Sequence, residues 1–259
     1  MIIINENKKD LRFHIIHSFK MILKNDKLDA LEKYCLKEPE IHAFTLWDLR
    51  YERDNTDFYI YWDGRIRGYM LIYYAVSIPS VIVYGEKGVM AKLLEIFDLE
   101  KAIIHMPYKF RHMWKGDNRM YKILVMSREP EKFKVSEEIV KIEDAEKLSL
   151  LFQDPRYLVT KAKTWGIIKN GYAISSISAL ATLPEAWVLG ALITKKEYRK
   201  RGYAKRLIEY FLNEAYGKTI KVVLWVRSGN YPAIELYKKY NFKIISEDVW
   251  INVGVDILP

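Results

Sequence analysis

A chain of 259 residues has room for one large or two ordinary domains, and 50% hydrophobic content is ample for packed cores. The single cysteine, Cys35, excludes an intramolecular disulfide and a cysteine-based metal site, and it points to a reducing, cytoplasmic compartment. A net charge of +9 invites a nucleic-acid reading; 33 acidic residues spread throughout and the absence of a basic tail weaken it, and a small acidic ligand explains the charge equally well.

Met1 to Asp10 has no long apolar core after a basic start, so no targeting segment is expected there. His14 and His17 share one face of a helical reading, but no carboxylate or cysteine cluster joins them and no metal site is expected. Asp29 to Leu36 reads as a short amphipathic helix carrying Cys35 as a small buried apolar residue, and Glu38-Pro39-Glu40 restarts a second helix running to Leu49. Phe58 to Trp62 meets Arg65 to Val76 in a hairpin across Asp63-Gly64, a dipeptide suited to the positive backbone angles of tight turns. The uncharged run Gly68 to Gly85 is broken by Ser77, Pro79 and Ser80, so it predicts strands and not a membrane span. A strand at Val81 to Tyr84 then leads through Gly85-Glu86-Lys87-Gly88 into a helix from Val89 to Phe97, followed by strands at Ala102 to His105 and Ile123 to Met126.

The charge-rich Glu129-Pro130-Glu131-Lys132 marks a boundary, and after it the order repeats. Ile139 to Ile142 predicts a strand, Asp144 to Phe152 a helix, and Trp165 to Lys169 a hairpin partner for Tyr172 onward across Asn170-Gly171. A strand from Trp187 to Thr194 enters a basic turn, and a helix leaves it with apolar residues at Ala204, Leu207, Ile208, Phe211, Leu212 and Ala215 until Gly217. Placing Gly88 on Gly202 lays Leu93 to Phe97 over Leu207 to Phe211, the mark of a diverged duplication. The expected fold is α+β, in two tandem halves at 1–130 and 135–259, each a mixed, mostly antiparallel sheet flanked by helices.

The turn Arg199-Lys200-Arg201-Gly202-Tyr203-Ala204 carries most of the chemistry. The first amides of a helix lack partners within it and the helix dipole adds about half a positive charge, so the junction suits a phosphate. Gly202 lets a ligand approach the backbone, Ala204 is small, and Arg199 offers charge-assisted bonds, with Lys200 and Arg201 beside it. The same hexapeptide also reads as an ordinary helix start with a solvated basic face. Downstream come strand Ile220 to Val226 and then Asn230-Tyr231-Pro232-Ala233-Ile234-Glu235-Leu236-Tyr237, ending Asn241-Phe242.

Arg199, Gly202 and Ala204, followed by Asn230, Ala233, Leu236, Tyr237 and Phe242, resemble the two spaced motifs of the GNAT superfamily of acyl-CoA N-acyltransferases. Asn241 stands where the family has glycine, a mild departure because Asn tolerates the left-handed conformation that ends helices. The resemblance covers roughly 135–259 of the chain. The tandem layout is similar to that of glycine N-acyltransferase-like and mycothiol-synthase-like members. It implies direct transfer of an acetyl group from acetyl-CoA to an amine, on a small molecule or a protein.

By the same resemblance, Leu192, Ile193 and Thr194 offer backbone groups to the pantetheine arm, and Asn230 and Ala233 adjoin it. The turn from Arg199 through Tyr203 to Ala204 takes the phosphates, and Tyr237 is the thiol-facing acid or else a core aromatic beside Phe242. Glu185, near the start of the cofactor strand, is the candidate base or else a loop residue after Pro184. All five histidines lie in the first half, so a histidine base is not expected. No metal and no membrane partner is expected, and a monomer or homodimer is left open. In the first half Gly85, Gly88 and Met90 fall on Arg199, Gly202 and Ala204 and Glu86 adds negative charge, which predicts one CoA per chain. The alternative function is a non-catalytic module that binds CoA or another anion.

Overall fold

The computed structural model describes residues 21–135 and 138–255, so His14 and His17 lie outside the described residues. In chain order the elements are β1 (Met21–Lys24), α1 (Leu28–Cys35), α2 (Ala43–Tyr51), β2 (Thr56–Trp62), β3 (Ile66–Tyr73), β4 (Ser80–Gly85), α3 (Lys87–Glu95), β5 (Ala102–Pro107) and β6 (Arg119–Arg128). There follow β7 (Ile139–Lys141), α4 (Arg156–Thr160), β8 (Lys163–Lys169), β9 (Tyr172–Thr182), β10 (Ala186–Thr194), α5 (Tyr203–Ala215), β11 (Lys221–Arg227), α6 (Tyr231–Lys239) and β12 (Lys243–Val253). No helix is long and apolar enough to cross a membrane among the described residues.

The chain divides into two compact units, one of Met1–Lys37, Asp48–Lys122 and Glu247–Pro259, the other of Glu38–Trp47 and Ile123–Ser246. Each has α+β architecture, and the two are built alike. The first runs β1-β2-β3-β4-β5-β12 and the second β7-β8-β9-β10-β11-β6. In both, the first four strands pair antiparallel, the fourth and fifth pair parallel, and the sixth is antiparallel again. A parallel pair needs a crossover, and α3 and α5 supply it.

The repeat expected from the sequence is therefore present, with an exchange. Strand β6, which follows the first run of elements, pairs with β11 in the second unit, while β12 at the far end of the chain pairs with β5 in the first. A single cut between 130 and 135 does not coincide with the unit bounds, which fall between α1 and α2 and within α2, β6 and β12.

Helix α5 shows why these segments take these shapes. Tyr203, Leu207, Ile208, Phe211, Leu212 and Ala215 are buried in one stripe against Trp187, Leu189, Leu224 and Val226, while Ala204 is half-buried. Helix α3 repeats the stripe with Val89, Met90 and Leu93. The Asn170-Gly171 hairpin forms with φ of 50° and 82° at its two residues. At Asp63-Gly64 the loop is longer than two residues: Trp62 pairs with Ile66 and the register shifts beside Tyr61, leaving Gly64 alone at positive φ. The helix expected over Asp144 to Phe152 is reduced to a 3-10 turn at Glu146–Leu148, and α4 follows where no helix was expected. Cys35 is fully buried as a free thiol.

Candidate active site

Strands β10 and β11 lie in register from Ala186 opposite Lys221 to Val188 opposite Val223, and the pairing stops there. Beyond it, residues 189–194 and 224–227 continue without that ladder. Unpaired strand edges present N–H and C=O groups that a ligand can satisfy. The split has a local cause in β10. Its register against β9 jumps between Gly190 and Ile193, and Ala191 sits at φ 48°, so an extra residue bends the strand.

Three wholly buried serines of β9 stand beside this bulge: Ser175, Ser176 and Ser178. Ser175 Oγ donates to the Ile193 carbonyl at 2.9 Å and lies 2.7 Å from Thr194 Oγ1, and Ser176 Oγ donates to the Ala191 carbonyl at 3.2 Å. A distorted strand loses ladder partners for its carbonyls, and buried carbonyls left alone are costly. The hydroxyls of β9 replace them, which holds 191–194 in the bent shape. The Ser-Ser pair inside an apolar strand is the signal of this bulge in the sequence.

The turn begins where β10 ends. Lys195 N–H donates to the Ile174 carbonyl at 2.9 Å, a 3-10 turn covers Lys196–Tyr198, and Arg199 Nε donates back to the Thr194 carbonyl at 3.0 Å. Lys200 and Gly202 both adopt the left-handed region, at φ 62° and 80°. The first bond of α5 that closes on a residue four back runs from Arg206 N–H to the Gly202 carbonyl at 3.1 Å, so the amides of Tyr203, Ala204 and Lys205 form its open positive end. A Cβ built on Gly202 would meet nothing within 4 Å apart from its chain neighbours, so the backbone is open at this residue. Lys196, Arg199, Lys200, Arg201 and Lys205 are exposed around it. Tyr203 is buried beneath, and the Lys169 ammonium donating to its hydroxyl holds that hydroxyl below the usual phenol range.

Helix α6 is set by Asn230, whose side-chain oxygen accepts from Ala233 N–H at 3.4 Å, with Pro232 in the first turn. Tyr237 is 7% exposed, meets Phe242 edge to face at 5.7 Å, and lies in the same core as Leu189, Leu224 and Val226. Burial pushes its hydroxyl up to about 12, so it stays protonated at neutral pH. Asn241 takes φ 60°, the left-handed position for which Asn substitutes for glycine, and Phe242 N–H returns to the Tyr237 carbonyl at 3.1 Å.

Residues 165–251 match the family model described as FR47-like protein. An N-alpha-acetyltransferase from Saccharolobus solfataricus is 34% identical over 74 residues, 28% of this chain and 44% of that protein, so the match spans under half of the relative. Among solved structures, a Drosophila protein superposes with a TM-score of 0.72 at 16% identity, covering 92% of this chain and 99% of its own. A tandem GNAT protein from the clavulanic acid biosynthesis pathway gives a TM-score of 0.55 at 13% identity, covering 92% of this chain and 100% of its own. The chain has the tandem GNAT acetyltransferase fold. Its C-terminal region is FR47-like.

Within this GNAT fold, Leu192, Ile193, Thr194 and the turn from Arg199 to Ala204 are brought to one end of the β10–β11 split. Glu185 is not brought there. It precedes the paired end of β10, its carbonyl accepts Lys221 N–H at 3.2 Å, and it lies three residues before Val188, where the pairing with β11 stops. The first GNAT-like unit makes the corresponding junction without a loop. Glu86 alone separates β4 from α3, and its carboxylate is held by Arg67 at 2.7 Å. Gly85, at φ 147°, is pressed against Gly68, where a Cβ would come within 2.5 Å of the Gly68 Cα, and Met90 is fully buried.

Sequence order concealed one contribution. The segment Glu38–Trp47 belongs to the second unit. Its Ala43, with Ile41, Phe44 and Trp47, packs on Val125, Val188, Val223 and Trp225. One of the five histidines, His42, therefore lies in the unit that carries the basic turn. It is 2% exposed, and burial pushes its imidazole down to about 4, so it is neutral at physiological pH.

Proposed function

We propose that the chain transfers an acetyl group from acetyl-CoA to a primary amine by direct attack, with one co-substrate bound per chain. The observation that carries this reading is the β10–β11 split leading into a basic turn whose Gly202 faces open space. In it, Arg199, Lys200, Arg201 and the amides of Gly202, Tyr203 and Ala204 hold the phosphates, and the free edge at Leu192, Ile193 and Thr194 bonds the pantetheine arm. The Asn230–Ala233 cap sets the helix on which Tyr237 is carried. A hydroxyl kept protonated by burial is suited to protonating the departing thiolate.

The printed name of the Saccharolobus relative supports an α-amino group as the acceptor. The chemistry agrees, since an α-amine has a reference pKa of about 8, against about 10.4 for lysine, and loses its proton with less help. The test is release of free thiol from acetyl-CoA with α-amines and with lysine side-chain amines. Faster release with α-amines is expected. Clear CoA binding with no thiol released on any amine would overturn the reading and leave an anion-binding module.

A further inference from the structure

Strands of the second unit present alternate residues to two faces. One face carries Leu189, Leu224 and Val226 together with Tyr237. The other carries Val188, Val223, Val125 and Trp225 beneath Ile41, Phe44 and Trp47. The split between β10 and β11 opens just after Val188 and Val223, and the cross-strand partner of Val223 on β6 is Ser127. Ser127 Oγ donates to Glu40 Oε1 at 3.4 Å, so a carboxylate stands in the row where the split opens. In the next row on that face Val125 opposes Trp225, and the Phe44 ring lies 5.2 Å from Trp225.

Several other carboxylates of this unit are tied to cations: Glu129 to Lys221, Glu131 to Arg128, Glu138 to Arg206, Glu214 to Lys218 and Glu235 to Lys238. The partner resolved for Glu40 is a neutral hydroxyl, which donates one hydrogen bond and leaves further lone pairs to accept a proton. Glu40, Phe44 and Trp225 are half-buried, so each keeps surface for a ligand.

We infer that this face receives the acceptor, with Glu40 as the group that takes the amine's proton and Phe44 with Trp225 as the wall for an apolar substituent beside that amine. The inference rests on the transfer reading above and names a base on a different element from Glu185. The amine arrives as an ammonium ion and gives one proton to Glu40, directly or through one water, and Glu40 returns it to solvent. The freed lone pair forms the C–N bond to the thioester carbonyl carbon. The C–S bond breaks with its electron pair on sulfur, Tyr237 protonates that sulfur from the opposite face, and the second N–H proton leaves to solvent as Tyr237 is reprotonated. One acetyl group has moved from sulfur to nitrogen and one proton is released.

The test uses the full chain, acetyl-CoA, and two probes, phenylalaninamide and glycinamide, with thiol release as readout. Glu40→Gln is expected to lower kcat by about a hundredfold or more and to flatten the acidic limb of the kcat/KM profile, with CoA affinity unchanged by calorimetry. Glu40→Asp, which keeps the charge and guards against a folding artefact, is expected to fall between the two and to retain the acidic limb. Trp225→Ala should raise KM for phenylalaninamide roughly tenfold while sparing glycinamide. Wild-type kcat and pH profile in both Glu40 variants, or equal KM changes for the two amines, would overturn the inference while leaving the transfer reading intact. No thiol release by the wild type on any amine would remove the transfer reading, and this one with it.

Discussion

Gly202→Ala separates the two reasons for a glycine at the head of α5. The backbone there is left-handed, at φ 80° and ψ 2°, and an L residue pays about 1–2 kcal/mol to adopt it. No steric cost adds to this, because the new Cβ meets nothing within 4 Å. With m at about 3 kcal/mol per M of urea, the variant should therefore unfold at a urea concentration lower by about 0.3–0.7 M. Binding should suffer further. The methyl group would occupy open space beside the Gly202 and Tyr203 amides, and losing one charge-assisted bond is worth about 1.5–3 kcal/mol, or roughly 10- to 150-fold in Kd. Gly202→Asn should recover much of the stability, since Asn tolerates the left-handed region, and still bind weakly. Gly202→Glu, adding negative charge, should bind no measurable CoA. Calorimetric titration with CoA alongside urea unfolding gives both quantities, and wild-type affinity in a folded Gly202→Asn protein would refute phosphate approach at this amide.

Tyr237→Phe should lower kcat about a hundredfold with little change in CoA affinity, because a leaving-group acid acts in the transition state; unchanged turnover would make it a packing residue. With its hydroxyl pushed up to about 12, the Tyr237-dependent share of kcat should persist to at least about pH 10 in a wild-type against Tyr237→Phe comparison. Calorimetry on the intact chain should find one CoA site, since Glu86 and the buried Met90 replace the basic turn in the first unit; two sites would refute this. His42 and His105 are both pushed down to about 4 by burial, from an ordinary 6.5. The unfolded chain then binds more protons between those values, so stability is full above pH 6.5 and falls as pH drops toward 4, by up to a few kcal/mol per histidine. Urea unfolding at pH 7 and pH 4.5 should show this loss, and His105→Gln should reduce it; an equal loss in that variant would exclude His105 as a contributor.

Local features were legible because their causes are local. The apolar stripe of α5, the Asn170-Gly171 turn, the left-handed Asn241 and the basic turn ending in Gly202 follow from backbone preference and hydrophobic period within a few residues. The repeat was legible for the same reason, since α3 and α5 bury matching positions. Where several local signals competed, local reading overreached: 144–152 has helical spacing, yet it yields a 3-10 turn before α4.

The amino-acid sequence alone determined the α+β class, the duplicated order of strands and helices, and the phosphate-suited turn, because each is written in contiguous residues. Tertiary structure decided the rest. Which strand completes each unit's strand order depends on pairing between residues more than ninety positions apart, as for β6 with β11 and β12 with β5, and nothing in either strand's own pattern selects its partner. The same long-range packing carries Glu38–Trp47 into the second unit and sets Glu40 beside Ser127. Which residues stand beside one another is a property of the packed chain and not of position along the sequence.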